Sequence, residues 1–466
     1  MGICDDIRAA AESINAAGSI TIVSHIDADG IASEAILSEA LSRLEIKNRS
    51  VFVRQLEPLT MPQVPDDDSF KIFADLGAGQ QNLLESRNLK EKDVLILDHH
   101  VSQPCGREYR QVNSLLWGET KMSAAGVAYL VAKELDPANT DLAKTAIVGN
   151  VGDMMARETC GLTGIVRDVI VPDGEQHRNV EVHKKDLNCY GTATRPVYLS
   201  LAYNDDPFIK GITNHPEGAK QFLKRLGVRQ QAEDGRWLVW EELSREDKKT
   251  ITSALMEQLI AYGEPTGRLL AETYHFPGEP ARTPLRNAQE YATVLNACGR
   301  WAKPQTGSAI LKGDRGSAYR DAENMLKNHR AIIRDLLNYI IMTGVTVLDS
   351  VQYIHVGNKY PDTIVGIGAG MALSRLDSAK PILIMCTVPE DENLTKVSMR
   401  TTERVVGRGI DLQKAISEAS AEYGGGGGGH TIAAGAYIPK TAEKEFVNRV
   451  NRILREQSRM ADAGHR

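Results

Sequence analysis

The chain contains 466 residues, of which 25% are charged and 42% hydrophobic, and its formal net charge is −6. This length predicts two or three domains, and the composition is that of an ordinary globular protein. The negative net charge does not favour binding to nucleic acid, although a local basic groove can exist on a protein that is acidic overall. No apolar run approaches the roughly 18 residues of a membrane span, and residues 1–17 predict an acidic amphipathic helix rather than a signal peptide.

The six cysteines are scattered along the chain without a CxxC pair, at Cys4, Cys105, Cys160, Cys189, Cys298 and Cys386. Disulfide frameworks and cysteine zinc sites show paired spacings, so this scatter favours reduced thiols. We therefore expect a cytoplasmic protein with no membrane partner.

The first 155 residues alternate between strand and helix patterns. Short apolar runs predict strands at 20–24, 50–54, 70–74 and 94–97. Helical spacing predicts helices at 5–16, 31–44, 81–87, 122–135 and 141–148. Such alternation predicts a parallel, doubly wound sheet, that is, an α/β fold.

Residue types that bind metals follow the ends of these strands, where open α/β sheets bind ligands. They are His25, Asp27, Asp29, Asp75, Asp98 and His99, and Asp153 follows a helix and a glycine-rich turn. If the first of these segments stays extended, its i, i+2, i+4 spacing places His25, Asp27 and Asp29 on one side. Neighbouring carboxylates favour a bound cation. The alternative for this segment alone is a polar turn that caps the next helix.

The pattern of residues 155–290 differs from the strand–helix alternation of the first 155 residues. Segments 165–171 and 180–182 flank a turn signal at 172–174. Runs 208–225 and 240–262 predict a mainly helical insert, in which 237–240 is core or, alternatively, an aromatic platform for bases. A basic cluster lies either along a substrate entry or on a solvated loop, and comprises His177, Arg178, His183, Lys184 and Lys185.

A long helix is predicted at 319–341, followed by a second α/β unit. Its predicted strands are 351–355, 381–386, 396–400 and 430–438, and its helices are 363–375, 411–420 and 440–456. The six glycines at 424–429 predict a loop whose backbone approaches a phosphate chain, rather than a flexible linker. The strongest basic cluster comprises Lys396, Arg400, Arg404 and Arg408.

Several of these segments resemble the motifs of the DHH phosphoesterase superfamily in order and spacing. HIDADG (25–30), ADLG (74–77), LDHH (97–100) and GNVGD (149–153) resemble its four N-terminal motifs, and GGGGGGH (424–430) resembles the signature of the DHH-associated domain. LNACGR (295–300) is similar to the NAAGR segment of RecJ exonucleases, and SMRT (398–401) to their SxR[ST] element. Among RecJ enzymes, the archaeal RecJ-like nucleases associated with the GINS replication complex are the most similar in length.

The resemblance implies a role for each matching position. His25, Asp27 and Asp75 would bind one divalent cation, and Asp29, Asp75, His99 and Asp153 a second, with Mn²⁺ preferred over Mg²⁺. Asp98 would orient a histidine ligand, and His100 would donate to the scissile phosphate or, alternatively, be a buried hydrogen-bonded histidine. The 5′ phosphate end would be bound by Ser398, Arg400 and Arg300, with Gly428, Gly429 and His430 lining the substrate site.

The predicted domains are a DHH catalytic domain at 1–160 and, at 161–315, an insert after which the chain returns to the DHH domain. A linker helix at 316–344 and a smaller α/β DHH-associated domain at 345–466 follow. The resemblance implies a metal-dependent exonuclease that degrades single strands, 5′ to 3′ on DNA, in replication or repair. Single-stranded RNA is the other candidate substrate. The alternatives are an oligoribonuclease or 3′-acting RNA exonuclease, a cyclic-dinucleotide phosphodiesterase, and a non-catalytic replication-fork scaffold.

Overall fold

The computed structural model describes residues 2–58, 60–388 and 391–464. The chain folds as two compact units, Met1–Met325 and Leu326–Arg466. No helix in the described ranges is long and apolar enough to cross a membrane, and all six cysteines are free.

The first unit begins with a parallel five-stranded sheet and the helices that cover it. The strands are β1 (Ile20–His25), β2 (Asn48–Val53), β3 (Phe70–Ala74), β4 (Val94–Asp98) and β5 (Arg110–Asn113). The helices are α1 (Ile3–Asn15), α2 (Ala28–Arg43), α3 (Gln81–Ser86), α4 (Ala124–Leu135) and α5 (Ala143–Gly152).

The strand order of this sheet is β2-β1-β3-β4-β5, with every pair parallel. The chain therefore leaves β1 for one edge and returns on its other side, which creates a crevice beyond the carboxyl ends of β1 and β3. This confirms the predicted doubly wound α/β fold. Strand β5 was not predicted because its Arg-Gln-Val-Asn sequence lacks an apolar run.

Helix α2 packs on β1 and against α4 and α5, so it is buried on almost every side. It begins three residues earlier than the sequence predicts. Asp27 is its N-cap and accepts a hydrogen bond from Gly30 N at 3.0 Å. The capping bond satisfies a main-chain donor of the first turn. Because the helix begins at Ala28, Asp29 lies in that first turn.

The rest of the first unit is an insert followed by a return to the sheet. The insert contains α6 (Val171–Gln176), β6 (Glu181–Leu187), α7 (Val197–Ala202), α8 (Pro216–Arg225), α9 (Arg245–Ala261) and β7 (Leu270–His275). Helices α10 (Ala288–Arg300) and α11 (Pro304–Leu311) then pack on α2. Helix α12 (Ser317–Thr343) runs from the first unit into the second.

One sequence-based expectation for the insert needs correction. Residues 172–174 do not form a turn between strands, because the chain is helical from Val166 through α6, and proline is tolerated in the first turn of a helix. The insert is mainly helical, as predicted, and β6 and β7 pair antiparallel at its base. Trp240 is buried in the insert core as predicted, whereas Trp237 is partly exposed and packs on Tyr198.

The second unit is a mixed six-stranded sheet with helices. Its strands are β8 (Thr346–Val347), β9 (Gln352–His355), β10 (Ile382–Val388), β11 (Asp391–Arg400), β12 (Gly426–Gly429) and β13 (Ala433–Pro439), in the order β12-β13-β11-β10-β9-β8. Its helices are α13 (Asp362–Ala372), α14 (Glu403–Val406), α15 (Leu412–Glu422) and α16 (Glu443–Gly464). This is the predicted smaller α/β unit.

The glycine run is an edge strand, not the predicted loop. Gly426–Gly429 pairs antiparallel with β13. Glycine is required on its inner face, since a Cβ at Gly427 would lie 2.8 Å from both Ile416 Cγ2 and Ala436 Cβ. A Cβ at Gly428 would meet nothing within 4 Å. One face of the strand therefore packs closely on α15, and the other is bare backbone.

This asymmetry predicts different effects of two adjacent substitutions. Gly427→Ala should destabilise the protein by roughly 1–3 kcal/mol, because the new methyl group must displace packed side chains. Gly428→Ala is the matched control and should leave the melting temperature almost unchanged. Thermal denaturation of both variants measures the difference, and equal losses would contradict this packing of the strand.

Candidate metal centre

The first group of predicted ligands forms where β1 ends and α2 begins. His25 is the last residue of β1, and its Nδ1 lies 3.1 Å from Asp27 Oδ2 and 3.2 Å from Asp75 Oδ2. Asp75 follows β3, the neighbouring strand, and has a left-handed backbone with φ of +61°. Its N–H donates to Leu97 O on β4 at 2.9 Å. The sheet topology thus brings together residues that are 50 positions apart.

The second group forms around His99, which follows β4. His99 Nε2 lies 3.3 Å from Asp75 Oδ1, 3.3 Å from Asp153 Oδ2 and 3.8 Å from Asp29 Oδ2. Asp75 therefore directs one carboxylate oxygen toward each group. Asp153 is in place because it is the C-cap of α5.

Asp29 is held in the second group by the start of α4. Its Oδ1 accepts from Ser123 Oγ at 2.6 Å and from Ala125 N at 2.9 Å, and its Oδ2 accepts from Ala124 N at 2.9 Å. The expectation of an extended segment with His25, Asp27 and Asp29 side by side is therefore wrong. The first turn of α2 points Asp29 to His99, while Asp27 stays beside His25.

The chemistry of these side chains fits two divalent cations. His99 Nε2 is buried and has no hydrogen-bond partner among the described residues, although three carboxylates face it. Four carboxylates carry the charge that two divalent cations would balance. Oxygen and imidazole donors are those that Mn²⁺ and Mg²⁺ accept.

The carboxylates also perturb one another strongly. Burial, followed by the charges of Asp27 and Asp29, raises the pKa of Asp75 well above its ordinary value. Burial and the charge of Asp29 raise the pKa of Asp153 to about 8. Both shifts are those of acids crowded together without neutralising cations, which makes this crevice a candidate functional site.

Asp98 is fully buried and holds His100. Its Oδ1 is 2.7 Å from His100 Nδ1 and accepts from the main-chain N–H of His99 at 2.8 Å, and its Oδ2 accepts from Ala78 N at 3.0 Å. The hydrogen bond to Asp98 is the main cause that raises the pKa of His100. The His100 side chain is 54% exposed, so it is not the buried histidine of the alternative interpretation.

Helix α10 carries the NACGR segment and packs closely on the segment between β1 and α2. Asn296 Oδ1 accepts from Ala28 N at 2.9 Å, and a Cβ at Gly299 would lie 1.8 Å from Ile26 O. Arg300 is largely buried, which lowers its pKa, while the nearby charge of Asp27 opposes that shift. The structure thus places Arg300 in the first unit, next to the metal ligands.

The remaining predicted substrate residues lie in the second unit. Ser398 and Arg400 are on the same face of β11, where a Cβ at Gly366 would be 3.5 Å from Ser398 Oγ and 3.1 Å from an Arg400 guanidinium nitrogen. Ser398 pairs with Gly435, which in turn pairs with Gly428. Gly429 ends β12, and the exposed His430 follows in the turn to β13.

Two residues that position the site were not predicted as site residues. Ser123 binds Asp29 from 94 positions away, and nothing in its local sequence indicates that contact. Asn296 belongs to the quoted NACGR segment, but its bond to Ala28 depends on the packing of α10. Ser123 fixes the carboxylate of Asp29, and Asn296 fixes the main chain between Asp27 and Asp29.

Three family models match this chain. They are the DHH family, N-terminal domain, over residues 19–151, the DHH-CID domain over 189–270 and the DHHA1 domain over 349–456. The chain therefore contains a DHH domain, a DHH-CID domain and a DHHA1 domain over these residues. Its DHH phosphoesterase fold supports a role as a phosphodiester hydrolase, and the two ligand groups could bind metal.

A curated relative and two solved structures extend this comparison. An uncharacterized protein of Methanocaldococcus jannaschii is 27% identical over 457 residues, which are 96% of this chain and 95% of the relative. RecJ of Thermus thermophilus in complex with Mn²⁺ matches with a TM-score of 0.58 and 15% identity, over 97% of this chain and 55% of that one. CDC45 of Entamoeba histolytica matches with a TM-score of 0.64 and 12% identity, over 97% and 99%. At such low identity, the two structures show the shared fold alone.

The shared position of Asp75 predicts how metal binding responds to substitution. Asp75→Asn should weaken both sites, because each group loses one of its charged oxygens, whereas Asp27→Asn should weaken only the site that contains His25. Calorimetric titration with Mn²⁺ should therefore give two tight sites for the unchanged protein, one for Asp27→Asn and none for Asp75→Asn.

A control variant is available at an exposed acid of the same unit. Asp141 pairs with Arg43 and takes no part in either group, so Asp141→Asn should retain both tight sites. Two tight sites in Asp75→Asn would contradict the sharing of this carboxylate.

Proposed function

We propose that this protein is a divalent-metal-dependent nuclease that hydrolyses phosphodiester bonds in single-stranded nucleic acid, from the 5′ end and with DNA as the preferred substrate. The observation that carries the proposal is the convergence of all six predicted ligands into two groups that share Asp75. The structural neighbours support it, since one of them is RecJ in complex with Mn²⁺.

Each of the two groups would bind one cation. His25, Asp27 and Asp75 would hold one cation, and Asp29, Asp75, His99 and Asp153 the other. Bound divalent cations supply positive charge at the scissile phosphate and lower the pKa of the attacking water. Mn²⁺ is the proposed cation, with Mg²⁺ as the alternative.

His100 is suited to donate a hydrogen bond to a non-bridging oxygen of the scissile phosphate. Asp98 holds Nδ1 at 2.7 Å, which leaves Nε2 on the exposed ring as the nitrogen that faces substrate. Because Asp98 raises the pKa of His100, a larger fraction of the ring carries a proton near neutral pH. Arg300 lies beside the ligands and would bind the same phosphate or its neighbour.

Arg400 is suited to bind the terminal 5′ phosphate. Burial lowers the pKa of its guanidinium, and within the described ranges its hydrogen bonds go to the main-chain carbonyls of Met399 and Ala434, not to a carboxylate. A partly buried cation without an anionic partner favours an incoming anion. The hydroxyl of Ser398 and the bare backbone of Gly428 would allow a phosphate chain to approach closely.

The complete ligand set argues against the scaffold alternative. A protein that only assembles with partners has no need to keep four mutually repelling carboxylates in one crevice, because their repulsion destabilises the metal-free fold. A role at the replication fork, with the GINS complex as partner, stays a prediction from the family resemblance.

Digestion of end-labelled strands tests the proposed reaction. Single-stranded DNA and RNA of equal sequence, labelled at either end, are incubated with the protein and Mn²⁺. Mononucleotides should appear first from the 5′ label, and faster from DNA. First products from the 3′ label, or activity confined to di- and trinucleotides or cyclic dinucleotides, would replace the proposal with one of the other phosphodiesterases. No hydrolysis of any of these substrates would favour the scaffold.

Replacement of Arg400 tests how the end is bound. Arg400→Ala should weaken binding of 5′-phosphorylated strands by about ten- to a hundredfold, since a charge-assisted contact contributes roughly 1.5–3 kcal/mol. The loss should be smaller for strands with a 5′ hydroxyl, and Arg400→Lys should restore binding only in part. Arg408→Ala is a control in the same basic cluster. Equal losses of binding for 5′-phosphorylated and 5′-hydroxyl strands would show that Arg400 contacts the internal phosphates of the strand instead of its 5′ end.

A further inference from the structure

A second cluster of metal-binding side chains lies at the base of the insert, away from the residues of the catalytic crevice. His183 and Asp186 are on β6 and His275 ends β7, and one ligand atom from each lies within 4.8 Å of the others. We propose that these three residues form a separate zinc site that joins the two ends of the insert.

A bulge in β6 brings the three side chains together. Residues three apart on a regular strand point to opposite faces. The register between β6 and β7 shifts between His183 and Asp186, however, with one extra residue on β6. The shift turns both side chains to the same face as His275. Cysteine spacing gave no indication of zinc in the sequence, because this site has no cysteine.

The distances fit a cation between the side chains better than direct hydrogen bonds. Asp186 Oδ2 lies 3.5 Å from His275 Nε2 and 3.7 Å from His183 Nδ1. Ligand atoms at about 2.0–2.1 Å from a tetrahedral zinc ion are about 3.3 Å apart. Two imidazoles and one carboxylate are ligands that Zn²⁺ accepts, with water in the fourth position.

The outer contacts are those of metal-binding histidines. Each ring directs its remote nitrogen at a carboxylate: His275 Nδ1 is 2.9 Å from Glu241 Oε1, and His183 Nε2 is 3.1 Å from Glu181 Oε1. Such carboxylate–histidine pairs fix the ring orientation at metal sites. Asp186 Oδ1 is fixed as well, since it accepts from Trp240 Nε1 at 2.6 Å and Leu187 N at 2.9 Å.

The site is closed on one side and open on the other. The side chains of Asp186 and His275 are 7% and 4% exposed, whereas that of His183 is 34% exposed, which provides an entry path. The DHH-CID match, residues 189–270, lies between the two strands that carry the ligands. A bound ion would therefore close the loop that contains this whole domain.

The competing interpretation is a hydrogen-bonded network without metal. The Thr273 hydroxyl lies 3.0 Å from Asp186 Oδ2 and 2.9 Å from His275 Nε2. Burial lowers the pKa of His275, but the neighbouring carboxylates of Asp186 and Glu241 raise it to about 9. The surrounding carboxylates thus favour positive charge here, carried either by a proton or by a metal ion, and the experiment decides between the two.

The test uses the full chain with Asp75→Asn, which weakens the catalytic sites. Titration with Zn²⁺ should show one tight site, and Co²⁺ in its place should give the intense visible bands of a tetrahedral complex. Adding His183→Ala should remove both signals, and Glu241→Gln should weaken zinc binding by about ten- to a hundredfold, as loss of an outer partner does. His215→Ala, at an exposed histidine of the insert, is the matched control.

Thermal denaturation provides a second readout. Zn²⁺ should raise the melting temperature of the Asp75→Asn protein and of its His215→Ala form, but not that of its His183→Ala form. Equal zinc binding with and without His183, or no zinc binding by the Asp75→Asn protein, would overturn the proposal and establish the network. Because both readouts measure zinc binding and every variant carries the same Asp75→Asn change, neither result depends on the proposed nuclease activity.

Discussion

The candidate metal centre depends on one carboxylate, that of Asp75, which faces both groups of predicted ligands. Asp75 directs one oxygen to His25 and the other to His99, and it does so from a left-handed backbone that a residue with a side chain adopts at a cost. That conformation is held by its N–H bond to Leu97 and by the parallel pairing of β3 with its neighbours. The strand order of the sheet therefore determines where two cations can share a ligand.

The predicted ligands also lie close together because the elements that carry them pack closely, and glycines at the contacts allow this packing. A Cβ at Gly30 would lie 2.3 Å from His25 O, and one at Gly149 would lie 2.4 Å from Ala125 Cβ. A Cβ at Gly299 would overlap the main chain between His25 and Asp27. Gly30 lets α2 begin directly against the end of β1, Gly149 lets α5 pack on α4 and α2, and Gly299 lets α10 pack on the segment between β1 and α2. The predicted ligands on these separate elements can therefore lie close together.

The sequence predicts the sheet and the ligand types because both depend on local patterns. Apolar runs mark β1, β3 and β4, and the acids that follow them must meet at one edge of a parallel sheet. Long-range packing is what the sequence does not show. Capping by Asp27 moves Asp29 away from His25, and Ser123 binds Asp29 without a local signal. The glycine run forms an edge strand by pairing with β13, which follows it in the chain, so its own composition does not predict a strand. The bulge in β6 cannot be predicted from the alternation of residues along a strand, because the extra residue interrupts that alternation.

Fold similarity alone does not show what this protein does, because RecJ and CDC45 both match almost the whole of this chain at 15% and 12% identity. Four carboxylates in one crevice repel one another, and burial together with their mutual charge raises the pKa of Asp75 and Asp153. Within the described residues, the buried Nε2 of His99 has no hydrogen-bond partner. Each of these features destabilises the metal-free fold, and each is relieved when divalent cations bind. An arrangement so unfavourable without cations is explained if the crevice binds divalent cations, as the proposed nuclease activity requires.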